Sequence, residues 1–405
     1  MATTTGLPLG QLTSKKCVRI GSTAIAYATS YRRGFAPLSA EGQRGVPLRG
    51  QCPMAGTSHG MFGANSKPYK CIGGRKVGIV WFRNDLRLHD HEALSRATAE
   101  CSSMLPVYCF DPREYGESRP QRGRKYGKTG PYRATFLIDA VTDLRERLRQ
   151  RGSDLVVAVG KPEDVIPEIG RKIGADAVYC HTEVTYEETQ IEDRVKSAVV
   201  KDNGGAFHSF WTNTLHHVED LPCGLEKLPQ SFDEFKSVME GVEPRHSIDE
   251  DESIKGLPLG ARMSIQMGEI PTLEDLGFSP PRMNEEADEQ ESCGFSSCQG
   301  GESEALKQLR KFVQDIVSSS KPGTTSFSGS IAPWLASGCL SPRKMLETVM
   351  QFDDKSTSNK SKSSLNWIQF ELLWRDFFRM LTKRYTDVVL PKARHVLQSQ
   401  QQCVA

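Results

Sequence analysis

The sequence predicts an α/β domain built on a parallel sheet, followed by a second domain made of helices. Two observations lead to this fold class. Between Val77 and about residue 211, short β-branched runs alternate with amphipathic stretches, which is the order that βαβ units produce. From residue 301 onward the apolar residues instead recur at helical spacing. A chain of 405 residues is long enough for two or three domains.

Five short runs are predicted to be strands, because buried parallel strands are nearly continuous in apolar residues. These runs are 77–82, 104–110, 154–159, 177–180 and 206–211. Two helices are predicted between them. One carries an apolar face formed by Leu137, Val141, Leu144 and Leu148, and the other begins behind Pro162. Right-handed crossovers between such strands produce a doubly wound, Rossmann-like sheet.

The region after the sheet changes in character. Residues 212–300 are predicted to be a connector that is mostly loop, with one short helix and an acidic end rich in Gly and Ser. Helices are predicted at 304–318, 341–352 and 364–385. Residues 386–405 show little apolar periodicity and are assigned to a tail. The second domain is therefore expected to be all-α.

The charge of the chain is uneven along its length. The formal net charge is +2, yet residues 1–76 hold eleven Lys and Arg against one acid, Glu41, which leaves the remainder at −8. Overall basicity therefore gives no support for nucleic-acid binding. No run of about 18 apolar residues appears, so no membrane span is predicted.

The first 76 residues are poor in acids and rich in Arg and hydroxyl side chains, a composition typical of an organelle transit peptide. Import into the chloroplast or the mitochondrion is expected. A disordered tail with no targeting role is the alternative. The 11 cysteines include no C-x-x-C pair, so reduced thiols are expected and no metal ligands are predicted.

A dense group of charges follows the first predicted strand. Arg83, Asp85, Arg87 and Asp90 lie where that strand ends, and ligands of doubly wound sheets bind outside the carboxyl ends of the strands. Neither a dinucleotide fingerprint nor a P-loop follows any strand. The alternative is a network that only ties the strand end to neighbouring helices.

The predicted helix 364–385 carries the clearest pattern in the second domain. Trp367, Glu371, Trp374 and Phe378 share one face, and a carboxylate within an aromatic wall can accept hydrogen bonds from a flipped base that stacks on an indole. Arg375, next to Trp374, can offer a bidentate fork to phosphate. The alternative is core packing, in which neighbouring helices satisfy Glu371 and Arg375.

Four segments, in this order, resemble the photolyase and cryptochrome family: VWFRNDLRLHD, KTGPYRATFL, APWLASGCLSPR and FELLWRDFFR. Three more, VYCFDPREYG, GKPEDVIPEI and WTNTLHHVEDLP, are similar to its DASH cryptochrome branch. The resemblance covers residues 77 to about 385. It implies an α/β antenna domain at 77–211, the connector at 212–300, and the first part of a helical FAD-binding domain at 301–385.

The resemblance also implies roles for individual residues. Glu371 and Trp374 match residues that meet the flipped base in the lesion pocket, and Arg375 matches a residue near the flavin diphosphate. No catalytic side chain is assigned, because the chemistry belongs to the cofactor. Reduced FAD would receive excitation energy from the antenna and donate an electron that splits a cyclobutane pyrimidine dimer.

Two further sites follow from the resemblance. Ser328, Gly329 and Ser330 lie in the short loop that contacts the cofactor phosphates, although the sequence SGSIAPWL keeps fewer phosphate contacts than family members usually have. An antenna such as methenyltetrahydrofolate needs an acid near its pterin. Glu183 and Asp139 are both candidates for that acid.

The implied function is that of a monomeric, blue-light-dependent flavoprotein of DASH cryptochrome type. It would repair dimers as a deoxyribodipyrimidine photo-lyase, a carbon-carbon lyase, or serve as a photoreceptor. Its partner would be damaged DNA, and single strands fit best because flipping a base costs least there.

The family continues well past Tyr385, so the chain is expected to be truncated within the FAD-binding domain and inactive as it stands. Its helices would then leave Phe370, Leu373, Phe377 and Leu381 partly uncovered. The alternative function is a non-catalytic α/β module that binds a folate, a nucleotide or a protein partner.

Overall fold

The structure is a computed structural model that describes residues 76–115, 117–121, 124–126, 128–250, 254, 256, 265–278, 298–318, 327–353 and 359–391. The predicted transit peptide lies outside these residues, apart from its last position. The same holds for residues 392–405 of the predicted tail.

Five parallel strands form the main sheet: β1 (Val77–Phe82), β2 (Ser103–Phe110), β5 (Val156–Val159), β6 (Ala177–His181) and β7 (Ala206–Phe210). Their order across the sheet is β5-β2-β1-β6-β7, which places β1 at the centre. All five predicted strands are confirmed to within two residues at each end. A small antiparallel pair, β3 (Glu117–Gln121) and β4 (Arg124–Tyr126), was not predicted.

Four helices connect the strands of the main sheet: α1 (Glu92–Glu100), α2 (Pro131–Gln150), α3 (Pro162–Ile173) and α4 (Tyr186–Asn203). The predicted apolar face of α2 is confirmed, since Leu137, Val141, Leu144 and Leu148 are all buried. α3 begins at Pro162, whose fixed φ suits the first helical position, and ends at Gly174 in the left-handed conformation.

The remaining helices follow the sheet: α5 (Phe232–Val238), α6 (Glu302–Ser318), α7 (Phe327–Ser330), α8 (Ala332–Ala336), α9 (Pro342–Asp353) and α10 (Asn359–Arg384). Two 3-10 turns, Val218–Asp220 and Leu225–Lys227, precede α5 in the connector. α10 is continued by a π-helical turn at Tyr385–Val389. The helix predicted at 364–385 is therefore longer at both ends.

One hydrophobic cluster runs from the sheet into the helices. It includes Val80 and Phe82 of β1, Leu144 of α2, and Ile368 and Leu372 of α10, all buried. The two parts of the chain thus share a single core instead of touching only at their surfaces. No helix in the described part of the chain is both long and apolar enough to cross a bilayer.

The prediction of an uncovered apolar face on α10 is only partly correct. Phe370 is 41% exposed, whereas Phe377 is 4% exposed. Phe377 is covered because α5 packs on α10, with Phe232 and Phe235 at ring-centroid distances of 5.8 and 5.3 Å. The short helix predicted in the connector is confirmed as α5, but the sequence gave no sign that it would cover this face.

Candidate functional site

Arg87 is the centre of the contact between the sheet and the helices. Its side chain is fully buried. Its guanidinium makes five hydrogen bonds, one from Nε and two from each Nη. The acceptors are His89 O at 3.1 Å, Asn213 Oδ1 at 2.6 Å, Gly338 O at 2.8 Å, Asp90 O at 3.1 Å and Thr212 Oγ1 at 2.9 Å. These acceptors come from the loop after β1, the segment after β7 and the turn after α8. We call this contact region the seam.

Two carboxylates reinforce the seam. Asp90 accepts from the guanidinium of Arg343 at 2.8 and 3.0 Å and from the hydroxyl of Ser341. Glu302, at the start of α6, accepts from the backbone N–H of Leu88 at 2.7 Å and from the ring of His89. Burial alone would raise the pKa of Glu302, but the bond from His89 and nearby cations lower it to about 2.

For Arg87 and Asp90, the charged group after β1 therefore forms the alternative predicted from the sequence, a network that ties the strand end to neighbouring helices. Both residues join the strand end to the helical part of the chain. Glu302 was missed by the sequence reasoning, because a single acid in the first turn of a helix is a common feature with no special signal.

Asp85, His91 and His181 form a buried group whose polar atoms lie within 4.8 Å of one another, close enough to hold a metal ion. The outer ring nitrogens argue against a metal. His91 Nδ1 accepts from Leu94 N at 3.0 Å, and His181 Nε2 accepts from Ala93 N at 3.3 Å. Because each of these nitrogens accepts, the ring proton lies on the other nitrogen, which is 3.1 Å from Asp85 in His91 and 2.7 Å in His181; only the second makes a well-aligned hydrogen bond. Metal binding would need free lone pairs at the nitrogens that face Asp85. The group instead caps α1, because both rings accept from backbone N–H groups in the first turn of that helix.

Glu183, one of the two acids predicted for the antenna, lies buried just beyond β6. The side-chain amide of Asn84 donates to Glu183 at 3.0 Å and to Glu188 at 3.1 Å, so one amide holds two carboxylates. Arg379 of α10 lies 3.7 Å from Glu183, outside hydrogen-bonding distance. Burial, followed by repulsion from Glu188, raises the pKa of Glu183 to about 7.

Several buried N–H groups around Glu183 have no hydrogen-bond acceptor among the described residues. They are Nε and Nη2 of Arg379 and Nη1 of Arg83. The rest of the Arg83 guanidinium is engaged, since Nη2 donates to Glu192 at 3.0 Å and to the carbonyl of His181. Buried donors without acceptors are costly and uncommon. A polar ligand at this place would supply the acceptors.

Asp139, the other predicted antenna acid, lies in a different setting. It is half-buried on α2 and accepts from the backbone N–H of Gly300 at 3.5 Å. Burial raises its pKa above the usual value. Among the described residues, only the backbone N–H of Gly300 opposes this rise, and no cation stabilises the Asp139 carboxylate. The converging donors found at Glu183 are therefore not reproduced there.

Arg375 is half-buried at the seam, and its fork is already in use. Nη1 donates to the carbonyl of Asn213, and Nη2 donates to the carbonyl of Leu335 at 2.8 Å. Burial and the neighbouring charge of Arg379 lower the pKa of Arg375 to about 9. It thus remains a cation at neutral pH and ties α10 to both the connector and α8.

The aromatic face predicted on α10 is divided between two hydrophobic clusters. Trp374 contacts Phe232 at a ring-centroid distance of 4.5 Å and Phe378 at 5.2 Å. Trp367 instead lies near Phe312 and Phe327, at 6.3 and 6.2 Å. Both indoles are half-buried. Core packing therefore accounts for part of this face.

Two predicted sites remain less well described. Glu371 is half-buried on α10, one turn before Arg375. Ser328, Gly329 and Ser330 belong to the short helix α7, where Ser330 is half-buried. The side chains of the first two of these residues lie outside the described part of the structure.

Comparisons with known proteins bear on the family and the fold. A family model described as DNA photolyase matches residues 78–251. A relative from Arabidopsis thaliana, blue-light photoreceptor PHR2, is 44% identical over an alignment of 330 residues, and the match covers 77% of this chain and 71% of the relative. The chain belongs to the photolyase/cryptochrome family.

Other members of the photolyase/cryptochrome family match over similar lengths. Cryptochrome DASH from Gloeobacter violaceus is 37% identical, with 77% of this chain and 60% of the relative covered. The crystal structure of a Synechocystis cryptochrome superimposes with a TM-score of 0.65 at 33% identity, covering 78% of this chain and 63% of that chain. The chain therefore spans about 60% of the length of these two cryptochromes.

The unusual pKa of Glu183 leads to a prediction about pH. The folded state holds its proton up to a pKa of about 7, against an ordinary value of 4.5. The folded state then binds more protons than the unfolded state between those values, so stability falls as the pH rises from about 4.5 to about 7. Glu183→Gln cannot ionise, and at pH 8 we expect it to be about 1–3 kcal/mol more stable than the native protein.

Thermal unfolding of both proteins at pH 5 and pH 8 measures this difference. Glu188→Gln is a matched control, since removing its charge should lower the pKa of Glu183 and recover part of the same stability. Parallel pH profiles for the native protein and Glu183→Gln would show that Glu183 ionises normally.

Proposed function

We propose that this family member is a blue-light-dependent flavoprotein of cryptochrome DASH type, which repairs cyclobutane pyrimidine dimers in single-stranded DNA or acts as a photoreceptor. The observation that carries the proposal is the position of α10. Its Arg375 donates to the segment after β7, and its Arg379 lies 3.7 Å from Glu183. One helix thus joins the residues predicted for flavin, lesion and antenna.

Arg375 would contribute positive charge near the diphosphate of FAD. Ser328, Gly329 and Ser330 of the short helix α7 would contribute further contacts to the same phosphates. The fit is one of charge, because Arg375 is cationic at neutral pH. When bound, reduced FAD supplies the electron that splits the dimer. The protein residues hold the cofactor and exclude water from it.

Glu183 is the acid that we assign to the antenna. Its carboxyl group titrates near neutrality, so it can donate or accept a hydrogen bond with a pterin ring. Arg379 and Arg83 offer buried N–H groups that lack acceptors among the described residues. A polar heterocycle such as methenyltetrahydrofolate would satisfy these donors, which favours Glu183 over Asp139.

Glu371 and Trp374 are proposed to meet the flipped base. Trp374 is packed edge-to-face on Phe232 and Phe378, which fixes the plane of its indole before any base arrives. A rigid aromatic ring loses little entropy on stacking. The half-buried carboxylate of Glu371 lies one helical turn before Arg375 and would accept hydrogen bonds from the base.

Localisation in the chloroplast or the mitochondrion is proposed for the same protein. The acid-poor segment 1–76 has a transit-peptide composition. Cryptochromes DASH from rice and Arabidopsis thaliana, 36% and 34% identical, carry the description chloroplastic/mitochondrial.

A non-catalytic module is the second candidate function. One observation favours it, because the apolar side chain of Phe370 on α10 is 41% exposed. Such a module would bind the folate or a protein partner without repairing DNA.

Light-dependent repair separates the two functions. The enzyme function predicts that the chain, supplied with FAD and a reductant, restores single-stranded DNA containing a pyrimidine dimer under blue light and acts more weakly on duplex DNA. The module function predicts no repair, as does the expectation that this chain is inactive as it stands. Trp374→Ala should bind the lesion about 5- to 150-fold more weakly, from the 1–3 kcal/mol that base stacking contributes. Met350→Ala is the control, because Met350 is an exposed apolar side chain on a different helix, α9.

Repair that is as fast in the dark as under blue light, or no repair by a chain that retains flavin, would contradict the enzyme function. Equal losses in Trp374→Ala and Met350→Ala would contradict the assignment of Trp374 to the lesion pocket.

A further inference from the structure

Asn213 occupies a strained position at the centre of the seam. Its φ is +61°, in the left-handed region that residues other than Gly rarely adopt, and it is 3% exposed. Asn tolerates this region better than most residues because its short amide can bond locally. A strained backbone at a buried site persists only where the surrounding structure holds it.

Three bonds hold Asn213 in this conformation, two to the loop after β1 and one to α10. Its Oδ1 accepts from Arg87 at 2.6 Å, its Nδ2 donates to the carbonyl of Asn84 at 2.5 Å, and its own carbonyl accepts from Arg375. The side chain thus bonds the loop after β1, and the main chain bonds α10.

Asn84 extends this chain of bonds to the acidic pair. Its backbone oxygen accepts from Asn213, while its side-chain amide donates to Glu183 at 3.0 Å and to Glu188 at 3.1 Å. The carboxyl group assigned to the antenna and the guanidinium assigned to the flavin are therefore connected through two asparagines and no solvent-exposed group.

We propose that Asn213 is a positioning residue, which sets the place of Glu183 through Asn84 and the place of Arg375 through its own carbonyl. The roles of these two partners rest on the proposed function, but the positioning itself does not. One residue would thus keep the two chromophore sites in a constant relative geometry, which energy transfer between them requires.

Three substitutions separate the side chain from the backbone conformation. Asn213→Gly keeps the left-handed φ but loses both side-chain bonds. Asn213→Asp keeps the acceptor for Arg87 but replaces the donor to Asn84 with an oxygen that its carbonyl repels. Asn213→Ala loses the side-chain bonds and also adds backbone strain, because Ala tolerates a left-handed φ less well than Asn. Thr212→Val is the control, because Thr212 bonds Arg87 but makes no bond to Asn84.

The pKa of Glu183 is the measured quantity, because a general loss of packing would lower the melting temperature without changing the bond from Asn84 to Glu183. The groups that face it are Asn84, Glu188, Arg83 and Arg379, and the Asn84 bond favours its ionised form. We expect carboxyl NMR on the full chain without cofactor to show the pKa of Glu183 raised by about 0.5–1 in Asn213→Asp and Asn213→Gly. In Thr212→Val it should stay unchanged.

The melting temperature and this titration together decide the outcome. If all four variants melt earlier but the titration of Glu183 is the same in each, Asn213 is only a structural residue and the proposal is overturned. If the chain binds no flavin and no folate, the proposed function fails, while the titration still tests the link between Asn213 and Glu183.

Discussion

Arg87→Met is expected to lower the free energy of unfolding by about 3–5 kcal/mol. Arg87 is fully buried, and methionine has a similar reach but no donors. Five acceptors would lose their partner, and all five belong to buried residues. Burying a polar group without a hydrogen bond carries the desolvation cost of that group.

Chemical denaturation of the native protein and the variant measures the loss. Arg149→Met is the matched control, because the Arg149 side chain is 54% exposed and pairs with Asp154 at the surface. Exposed pairs contribute about 0–1 kcal/mol. A loss at Arg87 no greater than the loss at Arg149 would show that the seam does not hold the two parts of the chain together.

Gly338→Ala is expected to destabilise the protein by more than about 3 kcal/mol, because it combines backbone strain with a clash that cannot relax. Gly338 follows α8 with φ +71°, and a Cβ there would overlap the carbonyl oxygen of Asn84 and press on the backbone of Asp85. Neither neighbour is a flexible side-chain end, so the loop after β1 itself would have to move.

Gly174→Ala separates strain from the clash. Gly174 has φ +63° with no atom within 4 Å of an added Cβ, so only the strain of about 1–2 kcal/mol applies. Thermal or chemical unfolding of both variants gives the difference. Equal losses would mean that the close approach of Gly338 to Asn84 is not a constraint on the seam.

The seam accounts for the dense charge after β1. In the interior, charged groups are tolerated when they are paired and fully hydrogen-bonded. Arg87 finds acceptors on both sides of the seam, and Asp90 finds Arg343. The same loop presents Asn84 to Glu183. A structural network and a candidate ligand site therefore share one loop.

The sheet could be predicted from the sequence because its signal is local. Parallel strands buried on both faces are short apolar runs, and each of the five lies within two residues of its predicted position. The buried face of α2 followed from a helical period in the same way. These patterns need no knowledge of what lies on the other side of the core.

The contacts that build the site could not be predicted in this way, because they join residues far apart in the chain. Asn213 meets Asn84 across 129 positions, and Glu302 meets His89 across 213. Nothing in the residues around Asn213 indicates a left-handed backbone. The burial of Phe377 was missed for the same reason, since α5 lies in a connector predicted to be mostly loop.

Retention of flavin by the purified chain tests the central claim most directly. The chain is incubated with FAD and passed over a gel-filtration column while absorbance is followed. The account predicts blue and near-ultraviolet flavin bands that elute with the protein, and weaker retention in Arg375→Met. Protein that folds, elutes as a single species and stays colourless after incubation with FAD would contradict it.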